Sequence, residues 1–248
     1  MEALEHSLFI VDFFNRVAGR PLAALLLRIG IEVKDPAHVF PDYMVMSLLL
    51  LVGLTLTLGL SARGLRLVPA GRQSVLEMIV QGIEGLLTDI IGPDGKKYLP
   101  VIGTLGLFIL FGNLMGLVPG LMSPTSKLNV TLGCALCVFV YYHWQGIKSQ
   151  GLFKYLKHFM GPIPLLAPLL VPIELISHFS RPVSLSIRLF GNIFAEELLI
   201  VIIASIIPVL LPLPFMAVAI FTGTIQAFVF ILLACIYIGG AVAHEEDH

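Results

Sequence analysis

Charge is what this chain has least of. Only 12% of its 248 residues are Asp, Glu, Lys or Arg, about half the ~25% of an ordinary soluble domain. With 57% hydrophobic residues and a mean hydropathy of +0.96, it cannot present a polar surface to water on every side. That excludes a soluble globular protein and points to an all-α, polytopic membrane protein with lipid as its solvent. The net charge of −1 offers no basic surface, so no nucleic-acid partner is expected. Three cysteines make no disulfide framework. Cys134 and Cys137 do spell C-x-x-C, but inside an apolar run without further ligands, where packing is the expected role. The phosphate-loop pattern, G-x-x-x-x-G-K followed by Ser or Thr, is absent, so ATP is not expected to be handled by this chain. The tail His244-Glu245-Glu246-Asp247-His248 matches H-E-x-x-H. It lacks the buried helix and third ligand of a zinc hydrolase, so neither metal nor cofactor is expected.

What the chain does have is long hydrophobic runs. Five are long enough to span a bilayer: 43–62, 98–122, 128–146, 173–207 and 213–243. They make up an expected membrane domain, 43–248. Ahead of it, 1–42 mixes six acids with four bases and reads as a segment outside the membrane or at its interface. Between the first two spans, Gln73–Ile91 repeats its apolar residues at helical intervals. Such a helix lies on the membrane surface or packs against a partner. Lys and Arg collect in the 63–97 and 147–161 connections, which places both in the cytoplasm. Five spans then leave the N-terminus outside and the C-terminus inside. The last two runs are excessive. At 1.5 Å per residue they make helices of roughly 50 and 46 Å against a ~30 Å core. They are expected to tilt, kink or project, with Pro182 as a kink site.

The fourth run carries Arg188, Asn192, Glu196 and Glu197 amid Leu, Ile and Val. Arginine stays protonated at any physiological pH, and a central Arg costs about 2.5–3.5 kcal/mol even on the mildest insertion scale. Its neutralising partner is not in its own helix. Glu196 and Glu197 lie about 12 Å and more along the axis, and only pairs three or four apart touch. Asn192 and Ser184, four residues to either side, share its face but are neutral. The other four spans contain no Asp or Glu. The guanidinium therefore points at something that another chain supplies.

The segment SRPVSLSIRLFGNIFAEELL, Ser180–Leu199, strongly resembles subunit a of the F-type ATP synthases. The hallmark R-L-F-G-N stands here as Arg188-Leu189-Phe190-Gly191-Asn192, preceded by Arg181-Pro182-Val183-Ser184. FGNLMGLVPG around Asn113, PTSKLNVT (Pro124–Thr131), Gln226-Ala227-Phe228 and Tyr237 extend the likeness from about residue 98 to the end.

The resemblance implies a stator subunit that couples proton flow to rotation, and so to ATP synthesis elsewhere in the complex. Its implied partners are a c-subunit ring, b-type peripheral stalk subunits and the rest of the synthase, in a bacterial cytoplasmic (inner) membrane. Arg188 would face the ring's carboxylate, and Gln226 would lie beside Arg188 and orient it. Glu197 and Asn113 would belong to a half-channel open to the outside, with Glu196 as an additional acid. Gly116 replaces an acid found in some relatives, and Ala219 a histidine. The outer path would thus rely on Asn113, Glu196, Glu197, Gln226 and water. Glu174, His178 and Arg181 share one helix face, and with Ser184 they either line the inner half-channel or form a solvated interfacial cluster. The competing class, a self-contained channel or secondary transporter, would show internal repeats with broken midplane helices. No such repeat is visible.

Overall fold

The structure, a computed structural model, describes residues 9–23, 39–62, 71–118, 121–158, 167–207 and 210–242. Among these there is no strand. The helices are α1 (Phe9–Phe14, continued by a π-turn, Asn15–Gly19), α2 (Asp42–Ala62), α3 (Arg72–Ile91), α4 (Leu99–Met115), α5 (Leu128–Gln150), α6 (Leu152–His158), α7 (Ala167–Ile206) and α8 (Pro212–Val242). Five segments are long and apolar enough to cross a membrane: Asp42–Ser61, Pro93–Met115, Leu128–Gln150, Pro168–Ile206 and Pro212–Val242. The fold is thus the all-α polytopic one. In hydrocarbon a backbone must satisfy its own hydrogen bonds, and a helix does so within each run.

The ends of these helices depart from the apolar runs for identifiable reasons. The run 98–122 is helical only as far as Met115, and the chain then turns at Gly116. Its remainder leads into a short 3₁₀ turn, Pro124–Ser126, whose residues are buried. The third span continues past 146 to Gln150, where Gly151 at φ 80° ends it. The fourth begins at Ala167, six residues earlier than hydrophobicity alone suggests, and runs for 40 residues straight through Pro172 and Pro182. Pro182 is therefore no break. It removes one N–H donor and leaves the His178 carbonyl without its helical partner. Forty residues make about 60 Å of helix, far beyond the ~30 Å hydrocarbon core.

Helix α8 is the centre of the bundle, touching α3, α4, α5 and α7. Ala227, Phe230, Ile231, Ala234, Cys235 and Ile238 are its buried stripe. Lipid tails are as apolar as leucine, so membrane helices associate by close packing more than by avoiding solvent. Gly106 on α4 illustrates this: a methyl there would lie 2.5 Å from Ile231 Cδ1. The absent side chain sets how near α4 and α8 come. By contrast, α2 buries only Val45, Met46 and Leu50, against Val11 of α1 and Met115. The amphipathic segment forms α3 and finds its partner within the chain. Ile83 and Leu87 pack into the main core, and Lys96 Nζ reaches Glu84 Oε1 at 2.7 Å. The H-E-x-x-H tail, Arg63, Arg66 and much of 1–42 lie outside the described residues.

Candidate functional site: two polar clusters flanking Arg188

The polar residues of α7 fall into three groups along its length. Glu174 and Glu197 lie about 35 Å apart on the axis, with Arg188 about 21 Å from the first and 13 Å from the second.

The first group gathers at the Ser123 end of the bundle. Asn113, buried at the end of α4, donates from Nδ2 to the Gly223 carbonyl of α8 at 2.9 Å. Its Oδ1 accepts from Thr125 Oγ1 at 2.7 Å. Thr125 and Ser123 hydroxyls are 2.7 Å apart, and Ser123 Oγ also donates to the Gly112 carbonyl at 2.9 Å. Glu197 Oε1 accepts the Ser123 N–H at 3.0 Å. Glu196, beside it in sequence, turns instead toward Thr222 of α8. A cleft of about 470 Å³ opens between them, lined by Asp42, Asn113, Lys127, Glu196, Glu197 and Ala219. That is room for on the order of ten waters.

The second group surrounds Arg188. The arginine is exposed on the outer wall of α7 and has no ion pair among the described residues. Asn192, one turn further on, donates from Nδ2 to Gln226 Oε1 at 2.8 Å, joining α7 to α8. Gln226 is 4% exposed, and its Nε2 has no hydrogen-bond partner among the described residues. Ser184, one turn before Arg188, is exposed on the same side.

The third group lies at the Tyr155 end. His178 Nε2 is 3.2 Å from Glu174 Oε1, and His178 Nδ1 is 3.1 Å from the Tyr142 hydroxyl. In the neutral imidazole, Nε2–H directed at the carboxylate makes Nδ1 the acceptor and Tyr142 the donor; in the imidazolium both nitrogens donate. The Arg181 guanidinium lies 5.3 Å from the centre of the Tyr237 ring, within cation–π range. His143 packs against His178 with ring centres 5.3 Å apart and planes tilted by 59°, and its Nδ1 meets the Tyr155 hydroxyl at 3.2 Å.

Between the first and third groups, the inward face of α7 is closed. Leu185, Leu189 and Ile193 are at most 3% exposed and pack into the main core. Ser186 is buried among them, but its hydroxyl is spent on the Val183 carbonyl of its own helix. Sequence reasoning brought Asn113, Glu196 and Glu197 together, and separately Glu174 and His178, as the structure has them. It missed Ser123 and Thr125, which sit in a short turn where hydroxyls are commonplace. It also missed Tyr142 and His143, although a histidine within an apolar run was a visible signal. Among the described residues no group of three or more His, Cys, Asp or Glu is arranged to hold a metal.

Comparison with known proteins shows the family. A family model for the ATP synthase A chain matches residues 43–239. ATP synthase subunit a of Campylobacter jejuni is 43% identical over 219 residues, covering 88% of this chain and 96% of the relative. The same subunit of Geobacter sulfurreducens is 44% identical over 227 residues, 90% of this chain and 98% of the relative. That of Geotalea uraniireducens is 44% identical over 232 residues. An integral membrane protein whose described residues include five helices long and apolar enough to cross a membrane, this chain belongs to the ATP synthase A chain family.

Proposed function

We propose that this chain is the proton-translocating stator subunit of an F-type ATP synthase. It supplies two offset half-channels and a fixed cation that faces a ring of c subunits. The observation that carries this reading is the placement of Arg188. The polar cleft at Glu197 and the polar cluster at His178 are separated inside the chain by buried Leu185, Leu189 and Ile193, while Arg188 is exposed on the outer wall. Among the described residues, the buried polar groups between the clusters, Ser186 and Gln226, bond to Val183 and Asn192 and do not join one cluster to the other. A proton has to leave the chain, ride on a carboxylate of the turning ring the long way round, and return at the other cluster before that carboxylate reaches Arg188.

The roles follow. Water in the cleft at Asn113, Glu196 and Glu197 brings protons from outside, with Lys127 and Asp42 at its rim. Arg188 favours the ionised form of an arriving ring carboxylate, so that carboxyl releases its proton before passing. Gln226 and Asn192 fix the α7–α8 register beside it. Ser184, Glu174, His178 and Tyr237 form the inner route. The basic connections place the Tyr155 end in the cytoplasm, the N-terminal segment 1–42 outside, and the C-terminus inside. The membrane is the bacterial inner one. The b-type stalk subunits hold the chain against rotation, and ATP is made or hydrolysed by other subunits.

Replacing Arg188 with Ala, or with Lys, whose shorter point charge deprotonates more readily on burial, abolishes ATP-driven acidification of inverted vesicles while the complex still assembles. Normal acidification with Arg188→Ala overturns the reading.

A further inference from the structure

Gly116 sits where the chain turns, but its backbone does not need a glycine there. Its φ of −66° and ψ of −13° are ordinary right-handed values that any residue adopts. What sets Gly116 apart is space. A Cβ added there would lie 2.6 Å from Glu197 Oε1, 2.9 Å from Ser123 Cβ and 3.2 Å from Ser123 N. The volume that a side chain would take is filled by the Glu197 carboxylate.

The other wall of that volume is the Ser123 peptide, whose N–H donates to Glu197 Oε1. Ser123 is in turn pinned through its hydroxyl. The two hydroxyl hydrogens of Ser123 and Thr125 fill two at a time of three contacts: to the Gly112 carbonyl, between the two hydroxyls, and to Asn113 Oδ1. Both ends of that chain are oxygens that only accept, a carbonyl and an amide oxygen. The chain therefore cannot hand a proton onward, and Asn113 serves as a brace within it. Glu197 also meets the Ser126 side chain, whose hydroxyl donates to the Ser123 carbonyl at 2.8 Å, and its open side is the cleft.

We propose that Gly116 and the Ser123 peptide form a seat that positions the Glu197 carboxylate at the inner end of the outer cleft. Gly116 is thus a positioning residue for proton uptake, acting through Glu197. This rests on the reading of Glu197 given under Proposed function. A methyl at 116 expels the carboxylate from the Ser123 N–H and shifts it by an ångström or more. Misplacement on that scale slows a positioned group by up to about a hundred-fold.

The test uses the whole complex in inverted vesicles, with ATP-driven acidification and the pH of each side varied independently. Gly116→Ala is expected to pump at least about ten-fold more slowly, with the complex still assembled. Its dependence on the pH at the cleft side changes, and its dependence on the opposite side does not. Glu197→Asp withdraws the carboxylate by one C–C bond, about 1.5 Å. The pair Gly116→Ala with Glu197→Asp therefore recovers activity relative to Gly116→Ala alone. Wild-type pumping by Gly116→Ala overturns the seat, and so does a double variant no better than Gly116→Ala with both pH profiles unchanged. Glu197→Gln, run in parallel, separates the two levels. If it is inactive while Gly116→Ala is active, only the seat falls. If it pumps normally, the role of Glu197 in proton uptake falls, and the seat with it.

Discussion

Replacing Gln226 should raise stability while destroying activity. Its side chain is buried between α7 and α8, with Oε1 accepting from Asn192 at 2.8 Å and Nε2 without a partner among the described residues. A buried, unsatisfied donor costs about 1–3 kcal/mol. The single interhelical bond returns only about 0.6 kcal/mol on average, and at most about 1.7, in a membrane setting. Gln226→Leu has similar bulk, removes the orphaned donor and forfeits the bond, so with a bond of average strength the balance is about 0.4–2.4 kcal/mol of stabilisation, and with the strongest it reaches down to about −0.7 kcal/mol. Asn192→Leu does the reverse: it leaves Gln226 with both ends of its amide unpaired and costs about 1–2 kcal/mol. Thermal unfolding of the purified chain in mild detergent should rank Gln226→Leu at or above the parent and Asn192→Leu below it. In the assembled complex both variants should fail to pump, because the polar link beside Arg188 is gone. A melting temperature for Gln226→Leu below that of Asn192→Leu would show that Nε2 has a structural partner and refute the reasoning.

Sidedness provides a second check. In a background lacking Cys134, Cys137 and Cys235, single cysteines at Glu196 and at Ser184 should react with membrane-impermeant thiol reagents from opposite faces. Labelling of both from one face refutes the offset routes. The purified chain in liposomes should show little proton flux under an imposed potential until the c-ring is added, and substantial ring-independent conductance would favour a self-contained channel. Gly146→Ala places a methyl 2.6 Å from the Tyr155 ring and 3.0 Å from the Ala241 carbonyl. Overpacking of that kind costs about 1–3 kcal/mol, and a lower melting temperature should accompany it.

The number and order of the spanning helices were legible because composition alone forces them: an apolar run of twenty residues has few other options in lipid. Their ends were less so. The apolar run starts at 173, just after Pro172, with Pro182 as a kink site, yet α7 begins at Ala167 and stays helical through both prolines, since its flanking turns pack on α5 and α8. The amphipathic pattern of 73–91 announced a helix, but periodicity identifies a buried face without naming what buries it. In the candidate site, Arg188 stood out because its cost in lipid is so large. Ser123 and Thr125 did not, because their importance comes from contacts with Asn113 and Glu197, the latter 74 residues away from Ser123. Tyr142 and His143 read as amphipathic aromatics near a helix end, and only the α5–α7 contact reveals them as partners of His178.

The distribution of anchors along α7 has a mechanical consequence. A charge that holds station beside a moving partner is pulled sideways each time an opposite charge passes. Were α7 fixed at one end only, it would behave as a cantilever, and Arg188 would swing with every such pull. Instead the helix is tied at the Tyr142–His178 contact on one side of Arg188, by Asn192–Gln226 one turn beyond it, and at the Ser123–Glu197 contact further on. It is a beam supported at both ends and near its middle, and deflection at Arg188 is correspondingly small. Cutting any one support, even far from the arginine, should loosen the position of its charge.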